Sequence, residues 1–304
     1  MSTRREHAAA AAASRPVFIV GQARSGSSIL YRLIQEHPTF RPAGGLNLAE
    51  SHLLHTVATE RSIDVPSTRA FAGLDDATWR ALVDEIAGLE WRRRLAVSLP
   101  ERALQRSVAL WVRLGCETVV QVYFWYAAQA RRAGRLVEKT PQNLPWTPHL
   151  LHAFPHAQVL VICRHPLPTF ASFLRRAAED PGASWAKLQR SRFVELWRSD
   201  AERTAQLAAR DERVRVLHYE QLVDDPETAQ AELFAWLGEP ARESLPAAIA
   251  PSEHAPVSDA KELYGPITPT GRDWSKYVTA EDARAIQQEL AAPMALVGYE
   301  PIAG

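Results

Sequence analysis

The chain has 304 residues, 46% of them hydrophobic and 23% charged. That balance supports a sizeable buried core and excludes a chain too polar to fold. Lysine plus arginine and aspartate plus glutamate each total 35, so the formal net charge is zero, which excludes a general affinity for nucleic acid or an anionic membrane surface.

Any anion bound here must be gripped by locally placed cations. Nearly all of these are arginines, since Lys139, Lys187, Lys261 and Lys276 are the only lysines. Cys116 and Cys163 cannot build a disulfide framework; both stand among apolar residues and read as buried thiols in a reducing compartment. No run approaches the ~18 consecutive apolar residues of a membrane span. Residues 1–15, arginines followed by alanines, read as a disordered lead, because alanine alone makes a weak signal-peptide core. These features predict a cytoplasmic protein with one domain over 16–304.

Val17-Phe18-Ile19-Val20, closed by Gly21, has the apolar, β-branched character of a buried strand. Gln22 to Ser28 is a tight Gly/Ser-rich turn, after which Ile29, Leu30, Leu33 and Ile34 recur at helical spacing until His37-Pro38. From 46 to 134 the pattern is helical. Asp75 or Asp76 is the N-cap of a helix with Trp79, Leu82, Val83, Ile86 and Leu89 on one face. Pro100 opens another helix, and the run Val119 to Tyr126, with Trp111, is aromatic on more than one side. Leu136-Val137 resumes the alternation ahead of Glu138-Lys139-Thr140-Pro141. Val159 to Cys163 is the strongest buried-strand pattern; it ends at Arg164, and Pro166 is well suited to a first helical turn. Val214 to Leu217 is a further strand, and a helix after Pro226 carries Leu233, Phe234, Trp236 and Leu237. Residues 245–276, rich in proline and polar residues, read as a long loop, a length that favours a functional lid. Strands alternating with helices predict an α/β fold with a mainly parallel central sheet.

Gly21-Gln22-Ala23-Arg24-Ser25-Gly26-Ser27-Ser28 carries the frame G-x-x-x-x-G followed by two hydroxyl residues. Such a loop between strand and helix offers backbone N–H groups and the positive end of a helix dipole to an anion. A triphosphate-binding loop has Lys after the second glycine, then Ser or Thr on magnesium. Here Ser27 takes the lysine position, and the strongest later strand ends in Arg164 where a metal-binding Asp would stand. Both features favour a ligand held by direct cationic contacts, with Arg24 inside the loop. A second cluster runs from Arg164 to Ser172: a strand-end guanidinium and a hydroxyl about two helical turns on can flank one anion. Charge-assisted hydrogen bonds of this kind contribute roughly 1.5–3 kcal/mol each. Two anion cradles at the carboxyl ends of parallel strands suit a ligand with phosphate at two separated places.

The loop Gly21 to Ser28, the Arg164 to Ser172 spacing, and Leu217-His218-Tyr219-Glu220 followed by Asp225-Pro226 together resemble the sulfotransferase family, from about Pro16 to the C-terminus. The resemblance implies a P-loop-like three-layer fold with a helical insertion over 46–134 shaping the acceptor pocket. It also implies a donor, 3′-phosphoadenosine 5′-phosphosulfate, used without a metal, in a bacterial protein similar to the carbohydrate and tyrosine sulfotransferases. By this resemblance the first loop is the 5′-phosphosulfate loop, contacting the donor through Arg24, Ser25, Gly26, Ser27 and Ser28. Arg164 and Ser172 match the pair that holds the 3′-phosphate, and Tyr219 matches a tyrosine that contacts the adenine. Gly271-Arg272-Asp273-Trp274 is similar to the element that closes over the 3′-phosphate, but one residue longer than the family's pattern.

In-line transfer to a hydroxyl requires positioned reactants, a base for the acceptor proton, and stabilisation of charge on the leaving phosphate. Cytosolic members of the family use a His shortly after a Lys-Thr pair, which Glu138-Lys139-Thr140-Pro141 lacks. His37-Pro38, Gly44-Gly45 and Glu50 resemble the glutamate-base arrangement instead. Glu50 is therefore the expected base, with Glu138 and His52 in reserve. Lys139 resembles the lysine of the family's Glu-Lys-Ser/Thr-Pro element and is expected at the acceptor or the transferring sulfuryl group, with Arg24 completing the catalytic set. His52 and His55, or His149 and His152 with His156, have spacings seen in zinc sites, but no third ligand follows at a recognisable interval. Ser25 lacks the G-x-S-x-G frame of a nucleophilic serine. The expected partner is a small-molecule or carbohydrate hydroxyl acceptor. The rivals are a nucleoside-triphosphate kinase, disfavoured by Ser27 and Arg164, and a non-catalytic nucleotide-binding module.

Overall fold

Five strands assemble into one sheet in a computed structural model that describes residues 15–35, 37–43, 75–78, 80–82, 121, 124, 127–128, 134–240 and 273–302. They are β1 (Val17–Gly21), β2 (Phe40–Pro42), β3 (Arg135–Lys139), β4 (Gln158–Cys163) and β5 (Val214–His218). Their order is β2-β3-β1-β4-β5, and every neighbouring pair is parallel. The longer helices among the described residues are α1 (Ser27–Gln35), α2 (Thr147–Ala153), α3 (Pro166–Glu179), α4 (Arg190–Arg210), α5 (Tyr219–Asp224), α6 (Pro226–Leu237), α7 (Ala280–Glu289) and α8 (Ala291–Leu296).

β1 lies in the middle because neither of its faces tolerates water. Val17, Phe18, Ile19 and Val20 are each 0% exposed, and alternation sends them to opposite sides of the sheet. Phe18 and Val20 join a cluster with Phe124, Leu150 and Phe154, the Phe18 ring lying 5.3 Å from Phe124 and 5.8 Å from Phe154. Val17 and Ile19 join Leu30, Ile34 and Phe234 on the other side. Full burial of such side chains is worth about 1.5–3 kcal/mol each, so both faces must be covered and a helix–sheet–helix sandwich follows. A third apolar cluster joins α3, α4, α7 and α8 through Phe170, Phe193, Trp197, Ile286 and Met294. The α/β class and parallel sheet are those the alternation predicts.

Local signals set the boundaries. α3 starts at Pro166, and the His165 ring accepts the Leu167 N–H at its N-terminus. Asp225 caps α6 by accepting from the Thr228 N–H at 3.2 Å. α1 ends at Gln35; beyond it His37 accepts the Thr39 N–H at Nδ1, and its Nε2 meets the Pro240 carbonyl at 3.1 Å. The expected cap at Asp75 is present: its carboxylate accepts from the Thr78 N–H and hydroxyl and from the Ala77 N–H, and these bonds, those of Thr78 foremost, hold its pKa below the ordinary carboxylate value. Of the helical stretch expected over 46–134, residues 76–78, 80–82, 121, 124 and 127–128 are helical. Apart from the cap Asp75, the other residues of that stretch up to 133 lie outside the described residues, as do residues 1–14 and residues 245–272 of the loop expected over 245–276. The end of that expected loop is instead a short 3-10 helix, Trp274–Lys276, because the Trp274 ring is buried in the apolar cluster of α3, α4, α7 and α8. No helix among the described residues is long and apolar enough to cross a membrane.

Candidate active site

In a parallel sheet every strand delivers its carboxyl end to the same edge. β1 is followed by β2 and β3 on one side and then by β4 and β5 on the other, so the connections diverge beside β1. Open α/β sheets form their ligand crevice at such a point. The loop after β1, Lys139 at the end of β3, Arg164 after β4 and Tyr219 after β5 all arrive there.

The turn leaving β1 needs glycine twice. Gly21 has φ +138°, and a Cβ there would lie 2.4 Å from the Ile162 carbonyl oxygen of β4. Gly26 has φ +96°, and a Cβ there would lie 2.4 Å from the Tyr219 ring. Between them Arg24 is left-handed, φ +69°, a conformation that costs a residue with a side chain about 1–3 kcal/mol. α1 then starts at Ser27, with the Gly26 carbonyl accepting from the Ile29 and Leu30 N–H groups. The amides of a first helical turn and the positive end of the dipole point out of the helix, here toward the sheet's carboxyl edge.

Side chains from three other elements close on this loop. Arg24 Nε donates to Ser172 Oγ of α3 at 3.1 Å, and Arg164 Nη1 donates to the Arg24 carbonyl at 3.3 Å. The buried Arg164 guanidinium stands 4.1 Å over the Tyr219 ring centre, a cation–π contact. Burial pulls the Arg164 pKa below the ordinary arginine value, against the opposing pull of Tyr219 and Glu220. Lys139, 1% exposed, donates from Nζ to Ser28 Oγ at 3.3 Å, which places its ammonium at the loop–helix junction. Beneath the loop, Ser25 Oγ and the Gln22 side-chain amide are buried with no hydrogen-bond partner. Both residues border a cavity of about 20 Å³ that Arg164, Asp200 and Thr204 also line. Burial pushes the Asp200 carboxyl up to about 6, partly offset by Arg203, and pushes the neighbouring free Cys163 thiol up to about 12. Cations, hydroxyls and helix-end amides make this donor set fit an anion.

Arg24, Ser25, Gly26, Ser27 and Ser28 are thus gathered with Lys139, Arg164, Ser172 and Tyr219 at one edge of the sheet. The two cradles are nearer than the separated pockets the sequence suggests, since Arg24 of one is hydrogen-bonded to Ser172 of the other. Tyr219, expected at an adenine, is 3% exposed, with its ring committed to Gly26 and Arg164. Glu138 is 1% exposed; its carboxylate accepts from the Thr140 hydroxyl and from Asn143 Nδ2, tying β3 to the turn that follows. Glu50, His52, Gly271 and Arg272 lie outside the described residues, as does Cys116. Among the described residues no three His, Cys, Asp or Glu side chains cluster as metal ligands would. The structure adds two residues that no spacing announces. Trp197, 33 residues after Arg164, donates its indole N–H to the Arg164 carbonyl, and Tyr299 reaches back 79 residues to Glu220.

A model of the sulfotransferase family matches residues 16–243. Among solved structures the chain is similar to the sulfotransferase domain of the Synechococcus PCC 7002 olefin synthase, with 21% identity over 94% of this chain and 96% of that one, and a TM-score of 0.58. It is also similar to the sulfotransferase domain from the curacin biosynthetic pathway, at 19% identity, 91% and 97% coverage, and a TM-score of 0.55. For sulfotransferase STF9 from Mycobacterium avium the values are 17%, 98% and 80%, and 0.50. At these identities the likeness is one of fold. No curated protein sequence matches the chain.

Proposed function

The chain belongs to the sulfotransferase family, and on that premise we propose that it moves a sulfuryl group from 3′-phosphoadenosine 5′-phosphosulfate to a hydroxyl of a small-molecule or carbohydrate acceptor, in line and without a metal. The observation that carries this reading is the joined cradle. Arg24, Ser172 and Arg164 are linked through contacts of 3.1 and 3.3 Å, beside the N-terminus of α1 and the Lys139 ammonium. An adenine nucleotide with phosphate on both the 3′ and 5′ positions of one ribose would meet cations and hydroxyls from both parts of this joined cradle.

Each residue then has a task. The amides of the first loop, with Ser27 and Ser28, bind the 5′-phosphate, and Arg24 lies along the sulfuryl side. Arg164 and Ser172 bind the 3′-phosphate, and Tyr219 supports Arg164 through its ring face. Lys139 stabilises charge growing on the oxygen between phosphorus and sulfur. Glu50 takes the acceptor's proton as the acceptor oxygen bonds to sulfur. The sulfur–oxygen bond to the 5′-phosphate breaks in the same step, its electron pair leaving with adenosine 3′,5′-bisphosphate.

Isothermal titration tests the assignment. Adenosine 3′,5′-bisphosphate should bind and ATP should not; the reverse pattern rejects sulfuryl transfer in favour of a kinase. Arg164→Ala should weaken the bisphosphate by roughly 10- to 100-fold while changing adenosine 5′-monophosphate little. Equal loss for both ligands rejects the role of Arg164. Glu50→Gln should keep donor affinity and stop turnover. Binding with no donor consumption by the native chain across hydroxyl acceptors would identify a binding module.

A further inference from the structure

The turn that carries Arg164 is gripped by the far end of the chain. α8 closes at Gly298, φ +78°, where the Gly298 N–H donates to the Ala295 carbonyl and the Tyr299 N–H to the Met294 carbonyl. This left-handed C-terminal turn redirects the backbone toward the sheet. The Tyr299 ring enters between two histidines, edge-on to His165 at 5.6 Å and to His218 at 4.9 Å. His218 Nε2 meets the Val297 carbonyl at 2.6 Å. His165 accepts the Leu167 N–H at Nδ1, which leaves Nε2 as the donor to the Glu300 carbonyl, 3.2 Å away. Beyond these, Ile302 exchanges two hydrogen bonds with the Gln287 side chain. The tail is thereby fastened on both sides of Tyr299.

The polar centre of this grip is Glu220. One carboxylate oxygen accepts the His165 backbone N–H at 3.0 Å and the other accepts the Tyr299 hydroxyl at 2.7 Å. Glu220 follows Tyr219, whose ring carries the Arg164 guanidinium. The Tyr219-Glu220 pair therefore holds the side chain of Arg164 with one residue and the backbone after it with the other. Trp197 fixes the Arg164 carbonyl between them.

From this arrangement we infer that Glu220 and Tyr299 form a positioning clamp for the Arg164–His165 turn and thereby set how strongly the site prefers nucleotides with a 3′-phosphate. Neither residue touches the ligand in this scheme. The inference rests on the donor reading above, because it assigns the clamp's effect to the phosphate that Arg164 binds. A guanidinium displaced by a fraction of an ångström loses the geometry of a charge-assisted bond, whereas the 5′-phosphate is held by the loop after β1, which Arg164 meets at the Arg24 carbonyl, and is affected far less.

The test compares adenosine 3′,5′-bisphosphate with adenosine 5′-monophosphate by isothermal titration on the full chain. Tyr299→Phe keeps the ring packing and removes only the hydroxyl. It should weaken the bisphosphate about tenfold and leave the monophosphate within about twofold of the native value. Glu220→Ala should give the same selective loss, with thermal melting used to confirm that each variant is folded. Glu220→Gln can accept from His165 and donate to Tyr299, so it should recover most of the preference. An unchanged ratio of the two affinities in folded Tyr299→Phe or Glu220→Ala, or equal weakening of both nucleotides, overturns the clamp. A native protein that does not prefer the bisphosphate removes the donor reading, and the clamp's role with it.

Discussion

The loop after β1 and the turn after β4 present cations to the same crevice, but they are made in different ways. The first is a backbone device, in which two glycines at positive φ and a left-handed Arg24 aim the amides at the start of α1. The second is a side-chain device: Arg164 sits on a tyrosine ring with its carbonyl held by Trp197, and the next residue, His165, is held by Glu220 and the C-terminal tail. A backbone device is specified within a few consecutive residues and fails abruptly when a methyl group is added. A side-chain device needs partners from distant elements and loses function in steps.

This contrast can be broken most directly at Gly21. Gly21→Ala drives a Cβ into the β4 backbone at a positive φ, and should lower stability by about 3 kcal/mol or more, read from the urea midpoint. A midpoint unchanged from the native protein would mean the loop is not constrained as described. Next in size, Lys139→Met removes the ammonium beside Ser28 while keeping an apolar stem of similar length. The transfer rate should fall by about 100-fold with bisphosphate affinity nearly retained. A loss confined to binding would move Lys139 from the reacting centre to the cradle.

Asp200 lines the cavity shared by both devices and tests the floor between them. Its carboxyl, raised to about 6 from 3.8, binds a proton more tightly in the folded chain than in the unfolded one. Its contribution is therefore most favourable at low pH, falls as pH rises through about 6, and leaves a penalty at neutral pH. Asp200→Asn should raise stability at pH ~7.5 by about 1–3 kcal/mol, and the gain should vanish near pH ~4. A pH-independent effect would show that the carboxyl is not held in a desolvated site. The smallest change in stability is expected from Arg24→Gly, which relieves the left-handed strain at the expense of chain entropy and should stay within about 1 kcal/mol of the native protein. Bisphosphate affinity should nonetheless fall about tenfold. Unaltered affinity would make Arg24 a turn residue only.

β1, β4, β5 and the helices after Pro166 and Pro226 are legible in the chain because runs of apolar residues and proline or aspartate caps act over a few positions. β2 is not, since Phe40–Pro42 has three residues and no alternation, and only pairing with β3 makes it a strand. α4 carries its signal quietly. Phe193, Val194, Trp197, Ala201 and Thr204 form a buried stripe within a helix otherwise dominated by charged and polar residues. In the site, the glycines, hydroxyls and arginines are visible as motifs. Tyr219's position between Gly26 and Arg164, and the engagement of Glu138 by Thr140 and Asn143, are not.

Short-range chemistry was enough to establish an α/β protein with an anion loop at residues 21–28 and a strand-end arginine at 164, because both depend on residue types a few positions apart. Which groups surround those features emerged only when the chain closed on itself. Arg24 meets Ser172 across 148 residues, and Tyr299 meets Glu220 across 79. Such contacts follow from how the sheet orders its strands and how the last helices pack, and no local pattern encodes a distance between segments that approach only in the folded state.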